Sequence, residues 1–257
     1  MSAVAISPKQ LSQFCDEFLL ANEFHDYCPN GLQVDAGVPI SRIITGVTAC
    51  QALIERAIAA DAQAILVHHG YFWKGEPAPL TGMKGKRIQS LFRHNISLLA
   101  YHLPLDAHPA IGNNRALADM LDLTITAPLY PHEKHPVGNI ASTTPIAADA
   151  FADKIHQALG RQPLHICAGE QHRTLTKIAL CTGGAQDMIE QAALCGCDAF
   201  ISGEISERTT YMARELGLDY FAAGHHATER GGIMRLGEVV AQQFGVDVQF
   251  VDIDNPA

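Results

Sequence analysis

Imidazoles and carboxylates collect at three places where an apolar run ends. Residues 64–67 lead into His68-His69-Gly70. Residues 96–101 lead into His102-Leu103-Pro104-Leu105-Asp106. Residues 220–223 lead into Gly224-His225-His226-Ala227-Thr228-Glu229-Arg230. With a helix opening near Ala227, His225 and Glu229 lie one turn apart, where side chains four apart share a face. Alone, that stretch reads equally well as a helix cap with a chance histidine pair, and one histidine at a strand end is ordinarily a satisfied core or loop residue. Three strand ends delivering His68, His69, His102, Asp106, His225 and Glu229 are harder to explain by packing. Buried ionisable groups cost several kcal/mol unless they are paired or ligated. Imidazole with carboxylate is the donor set of borderline divalent metals; it suits Zn, Mn, Fe, Co or Ni and is poor for Mg or Ca.

Strand alternation would send His68 and His69 to opposite faces, so they share a site only if the strand ends there and the chain turns at Gly70. Two adjacent imidazoles could also serve two metals, one each, with a carboxylate between them. Two metals about 3.5–4 Å apart can clamp both the attacking and the leaving oxygen of a displacement.

The elements that must hold these residues follow an α/β rhythm. Ser7-Pro8 reads as N-cap and first residue of a helix, with Leu11, Phe14, Cys15, Phe18 and Leu19 on its buried face. Pro29-Asn30-Gly31 is a turn. Strands are expected at 42–48, 64–67, 96–101, 176–181, 199–202, 220–223 and 246–251. Helices are expected at 51–60, 84–94, 113–121, 147–159, 186–194, 207–216 and from about 227 to 244. Residues 124–145, rich in Pro, Thr and His, read as a crossing segment. Strands alternating with helices of this length indicate an α/β fold with mostly parallel pairing. Gly183-Gly184-Ala185 reads as a tight turn in preference to an anion-binding loop, and no Gly-x-Ser-x-Gly elbow is present.

The halves also overlay as an internal duplication. Arg42-Ile43 matches Lys177-Ile178. With no gap, Gln51 meets Gln186, Ile54-Glu55 meets Ile189-Glu190, Ala57 meets Ala192 and Ala64 meets Ala199. At a second offset, residues 99–102 match 222–225, which puts His102 opposite His225 and Asp106 opposite Glu229. Weak self-similarity of this kind is how internal repeats show themselves. The expected domains are residues 1–125, with a contribution from the C-terminal helix and strand, and residues 126–257.

The 257 residues carry a net charge of -9, with 47% hydrophobic and 18% charged side chains. That balance permits a sizeable core and argues against a duplex nucleic-acid binder, which needs a basic face. No signal-peptide pattern opens the chain and no apolar run approaches about 18 residues. Seven scattered cysteines, an odd count, suggest reduced thiols and a cytoplasmic location. Cys195 and Cys197 lack the second pair a soft-metal site needs and read as buried thiols.

The sequence resembles the NIF-three-like family, also called GTP cyclohydrolase I type-two homologues. The resemblance runs over nearly the whole chain. It is carried by Pro29-Asn30-Gly31-Leu32-Gln33-Val34, by Val67-His68-His69-Gly70 with Trp73, by Tyr101-His102-Leu103-Pro104-Leu105-Asp106, by Gly112-Asn113-Asn114, by Ser202-Gly203-Glu204 and by Gly224-His225-His226-Ala227-Thr228-Glu229. The length is that of the short bacterial form. The resemblance implies two related three-layer α/β domains facing a central metal cleft, a ring-shaped homohexamer and two divalent cations per chain. Carried over by motif, the metal ligands are His68, His69, Asp106 as the bridging group, His225 and Glu229. His102 is either a ligand or a group that orients one. Many members have Tyr where this chain has His226, which could add an imidazole.

Two functions are compatible with these residues. The preferred one is a metal-dependent hydrolase of a nucleotide or phosphoester-like small molecule, with a metal-activated water as nucleophile. Glu204, His108 and Glu76 are then candidate bases, and Trp73 or Phe72 could stack on a base, although polar loop residues and packed aromatics are the commoner reading of each. The alternative is a non-enzymatic ring protein that stores, delivers or senses a metal. An open coordination position separates the two.

Overall fold

The computed structural model describes residues 4–169 and 173–257. In chain order its elements are α1 (Pro8–Phe18), β1 (Gly31–Val34), β2 (Arg42–Thr48), α2 (Gln51–Ala59), β3 (Ala64–His69), α3 (Gly82–Arg93), β4 (Ser97–Ala100) and α4 (Leu103–Ala107). There follow α5 (Asn113–Met120), β5 (Thr124–Pro128), β6 (Asn139–Ala147), α6 (Ala148–Leu159), β7 (Leu164–Ile166), β8 (Thr174–Cys181), α7 (Ile189–Leu194), β9 (Ala199–Ser202) and α8 (Glu207–Leu216). The chain ends with β10 (Asp219–Ala222), α9 (His225–Thr228), α10 (Arg230–Phe244) and β11 (Asp247–Phe250). Two compact units result, Met1–His108 with Ile233–Asp254, and Pro109–Gly232 with Asn255–Ala257. No helix of the described residues is long and apolar enough to cross a membrane.

In the first unit the sheet order is β1-β4-β3-β2-β11, parallel except for β1. Alternate strand residues feed two layers. Ile44, Ile65, Val67, Leu98 and Ala100 pack beneath Leu53, Ile54 and Ala57 of α2 and Ile88 and Leu91 of α3. On the opposite face, the Tyr101 hydroxyl donates to Asp16 Oδ1 of α1 at 2.7 Å, and Phe14 meets Phe244 of α10 edge-on at 5.2 Å. The first helix starts where a capping box predicts: Ser7 Oγ accepts from Gln10 N while Gln10 Oε1 accepts from Ser7 N.

The second unit carries a sheet of order β5-β6-β8-β9-β10-β7. Its centre, β8-β9-β10, is parallel, and the flanking pairs are antiparallel. Ile178, Leu180, Ile201 and Phe221 face α5 and α6. Ala179, Cys181, Phe200 and Tyr220 face α7 and α8. Each unit is therefore a three-layer α/β sandwich.

The duplication is visible in register. β2-α2-β3-α3-β4 and β8-α7-β9-α8-β10 have the same order and hand of pairing. Ile43 lies opposite Ala64, and Ile178 opposite Ala199, as the ungapped overlay requires. One polar clamp recurs with them. Gln63 Oε1 accepts from Ser41 N and Arg42 N, and at the matching positions Asp198 Oδ2 accepts from Thr176 N and Lys177 N. The second overlay is one residue out. Val67 pairs with Ala100 and Ser202 with Ala222, so His102 corresponds to Gly224 and not to His225. Both are helix N-caps, of α4 and α9.

Three expectations are corrected. Residues 124–145 are not a crossing segment, because β5 and β6 form an antiparallel pair at the sheet edge. Pro145 lies where the β6–β8 register slips, between Ser142 and Ile146, and proline cannot donate to a ladder. The turn at Gly31 continues into β1, and the three-residue β7 was not expected at all. The last helix is broken: α9 is a single turn, and Glu229, at φ -108° and ψ 6°, separates it from α10.

The Asp198 clamp makes stability depend on pH. Burial pushes this carboxyl up, but the Lys177 and Thr176 bonds and the Arg173 charge outweigh it and hold it below its usual range. A depressed carboxyl stabilises the fold above its unfolded value, near pH 3.9, and that contribution is lost as pH falls through the folded value. With 26% of the side chain in solvent, Asp198→Asn should cost about 1 kcal/mol at neutral pH. Urea unfolding at neutral and acidic pH should show the gap between variant and wild type closing as the carboxyl protonates.

Candidate metal centre

In the first unit, β3 ends at His69, and Gly70 follows where the backbone passes too close to its neighbours for a side chain. A Cβ at Gly70 would lie 2.3 Å from Gln33 Oε1 and 2.6 Å from Ala100 Cβ. Both histidines face one place, with ring centroids 4.4 Å apart. His102 arrives from the end of β4, 5.1 Å from the His68 ring and 5.7 Å from the His69 ring. One ligand nitrogen from each of the three lies within 4.8 Å of the others. Asp106, on the single turn of α4, is buried beside them.

The bonding pattern sorts contacts that grip a ligand from contacts between ligands. His68 Nδ1 lies 2.8 Å from the Tyr101 carbonyl, which only accepts, so Nδ1 carries the proton. Its Nε2 lies 3.5 Å from Asp106 Oδ1. His102 Nδ1 lies 2.7 Å from Asp26 Oδ1. His69 Nδ1 sits 3.3 Å from Thr48 Oγ1. Two ligands of one tetrahedral zinc-like ion at about 2.0–2.1 Å are about 3.3–3.4 Å apart, close to the His68–Asp106 gap and longer than the 2.7–2.8 Å contacts at Nδ1 of His68 and His102. At His68 the distal nitrogen is the one turned toward Asp106, as in carboxylate–histidine–metal triads.

Asp26 was not foreseen. It is 2% exposed, and Oδ2 also accepts from the Leu103 N–H at the start of α4 and from Asn30 Nδ2. Burial pushes its carboxyl up, but the His102 bond and charge, then Asn30 and Leu103, hold it below the usual range. It is thus an anion orienting an imidazole. Neighbouring Cys28 is no match for it as a donor. Burial first, then the charges of Asp26 and Asp106, push its thiol up to about 12.

In the second unit, β10 ends at Ala222 and Gly224, at φ 100°, caps α9, which presents His225 and Glu229 one turn apart, as the spacing predicts. His225 Nδ1 lies 2.7 Å from Glu204 Oε1, and Nε2 lies 3.1 Å from Glu229 Oε2. Burial alone would push the His225 imidazole down. The bond and charge of Glu229, then of Glu204, override it and raise it to about 9 from 6.5. Two glycines make the room. A Cβ at Gly183 would sit 2.1 Å from Glu229 Oε1, and one at Gly203 would sit 2.6 Å from His225 Cα.

The remaining candidates separate clearly. Glu204 is at the site, holding His225. His108 stacks on Phe18 at 4.8 Å, and burial pushes its imidazole down. Glu76 pairs with Lys84 at 3.5 Å on the surface. Trp73 lies 5.0 Å from the His102 ring and 5.9 Å from the His69 ring, whereas Phe72 packs against the core of the first unit. His226 is buried and belongs to none of the close ligand groups among the described residues.

A sequence model of the Duf34/NIF3 (NGG1p interacting factor 3) family matches residues 6–256. The "GTP cyclohydrolase 1 type 2 homolog" of Vibrio cholerae is 52% identical over 96% of this chain and 98% of its own length. A solved structure described as "protein ybgI, unknown function" superposes with a TM-score of 0.93 at 44% identity, covering 98% of this chain and all of that one. A Thermus thermophilus protein gives a TM-score of 0.89 at 29% identity over the same shares. The chain, matched from end to end in sequence and in fold, belongs to the Duf34/NIF3 family.

Proposed function

We propose that this protein holds two divalent first-row metal ions per chain and uses them to hydrolyse a nucleotide or phosphoester-like small molecule. His68, His69, Asp106, His225 and Glu229 are the proposed ligands, Asp106 the bridging one, with His102 beside them. The observation that carries this reading is the division of labour at the imidazoles: His68, His102 and His225 are gripped at Nδ1 by an oxygen 2.7–2.8 Å away, and His68 and His225 turn Nε2 to a carboxylate. A hydrogen-bonded core histidine needs no such second partner, and a metal ligand does.

The donors fit the group. All are imidazole nitrogens and carboxylate oxygens, the set that Zn, Mn, Fe, Co and Ni share. When bound, a pair of such ions supplies Lewis acidity and a nucleophile at neutral pH. The chain supplies the rest. Asp26 and the Tyr101 carbonyl fix the tautomers of His102 and His68. Glu204 holds His225 through Oε1 and, being 45% exposed at the side chain, is able to take a proton from the solvent side. Trp73 offers a flat apolar face next to two of the imidazoles, where a planar ring could rest. The "GTP cyclohydrolase" in the name borne by the Vibrio cholerae relative is consistent with a purine nucleotide as one substrate to try. We further propose that the chain works as a homohexameric ring, as its resemblance to the family implies.

Metal analysis by mass spectrometry on untagged protein should find about two first-row metals per chain, fewer in Asp106→Asn and in Glu229→Gln. Protein that stays metal-free after reconstitution would sink the dinuclear reading. A panel of nucleotides and phosphomonoesters should then reveal metal-dependent turnover. A fully loaded protein inert across the panel would favour storage or sensing. Asp26→Asn should weaken metal binding on the order of 10- to 100-fold while circular dichroism stays that of wild type. Sedimentation equilibrium should return six chains per particle.

A further inference from the structure

A second group of side chains with metal-binding atoms lies in the second unit, where the edge strand β7 meets β10, and shares no residue with the clusters described above. The register pairs Phe221 with His165 and Tyr220 with Ile166. Continued by one residue, it sets Cys167 across from Asp219. Side chains two apart on a strand share a face, so His165, Cys167 and Asp219 point the same way. His165 stacks on Phe221 with centroids 4.4 Å apart and planes 14° off parallel, which fixes its ring. Its Nε2 lies 2.6 Å from Asp219 Oδ1. The Cys167 thiol donates to the Gly169 carbonyl at 3.2 Å. One nitrogen, one sulfur and one oxygen from the three residues lie within 4.8 Å of one another.

Asp219 is what sets this group apart from an ordinary histidine–carboxylate pair. Its side chain is wholly buried, and among the described residues Oδ2 has no hydrogen-bond donor. Arg173 Nη1 approaches Oδ2 only to 3.7 Å, while Nη1 donates to the Gly217 carbonyl and Nη2 lies 3.6 Å from Asp198. A buried carboxylate oxygen without a donor is costly, and the residue that carries it groups with a thiol and an imidazole.

We propose that His165, Cys167 and Asp219 form a separate three-ligand site for a zinc-class divalent cation, its fourth position open toward solvent. Sulfur, nitrogen and oxygen together are zinc donors, and the thiolate discriminates against magnesium and calcium. The thiolate and the carboxylate balance the two positive charges. On binding, the Cys167 thiol proton is released to solvent, while His165 binds as a neutral imidazole through Nε2 and keeps its ring proton on Nδ1. The His165–Asp219 contact opens to about 3.3 Å, the spacing of two ligands on a tetrahedral ion, which an edge-strand side chain 19% exposed is placed to allow.

The test is a cobalt titration of the full chain read by absorption. A thiolate ligand gives a sulfur-to-cobalt charge-transfer band in the near ultraviolet. The proposed dinuclear ligands are all nitrogen and oxygen and give none, so the two sites are read separately. The expected result is a band that saturates, disappears on adding zinc, is absent in Cys167→Ser and in His165→Gln, and persists in Asp106→Asn and in Cys28→Ser. Thermal unfolding of metal-free Cys167→Ser should match wild type, showing that the loss is of a ligand and not of the fold. Absence of the band in wild type, or its survival in Cys167→Ser, would overturn the site and leave His165 and Asp219 as a structural pair.

Discussion

An imidazole can offer a lone pair at one nitrogen reliably only if the other nitrogen is held. That constraint organises both units. The Tyr101 carbonyl holds His68, the Asp26 carboxylate holds His102, and the Glu204 carboxylate holds His225. The gripping atoms come from a strand end, from a loop early in the chain and from the strand-end turn after β9. Each is itself fixed. Asp26 is anchored by Asn30 and by the first N–H of α4, and Tyr101 by its hydroxyl bonds to α1. The first unit's layers thus do more than bury apolar area, because they set the tautomers of His68 and His102.

The sheets provide the common frame. Parallel strands of equal register end together, so any polar residue just past the last paired position lies at one edge of the sheet. In the first unit this edge receives His68, His69 and His102, and in the second unit it receives Gly203, Glu204 and His225. The recurring clamp at Gln63 and Asp198 works at the opposite ends of the strands, tying the start of β2 to the turn before β3 and the start of β8 to the turn before β9. With both ends of the βαβ unit determined, the register has little freedom to slip, and a slip of one residue would turn every ligand away.

Much of this was legible in the chain. Apolar runs with helical periodicity between them gave the parallel strands, and the first overlay predicted a pairing register that the structure reproduces at Ile43 and Ile178. What escaped did so for physical reasons. β5 and β6 are half-exposed strands whose Thr and Pro content resembles a loop, and β7 is too short to show alternation. The break at Glu229 is hidden because apolar periodicity continues through it. Asp26 lies 76 residues from the histidine it holds, and nothing local marks it. The one-residue error in the second overlay came from matching histidine to histidine, when the structural counterpart of His102 is the glycine before His225.

That glycine, and two others, explain why the halves are not copies of one another at their sites. The overlay sets Thr48 and His69 opposite Gly183 and Glu204, and His68 opposite Gly203. In the first unit Thr48 and His69 are paired across adjacent strands, and the imidazoles come from the strand itself. In the second unit a side chain at 183 would collide with Glu229, and one at 203 would collide with the backbone of His225. A strand-borne histidine there would exclude α9. The second unit instead empties its strand ends, brings the imidazole and the carboxylate in on a single helical turn, and uses the residue opposite His69, Glu204, to hold that imidazole. One unit offers imidazoles from β3 and the other offers a support from β9, so the duplicated frame yields two unlike sets of side chains at equivalent strand ends.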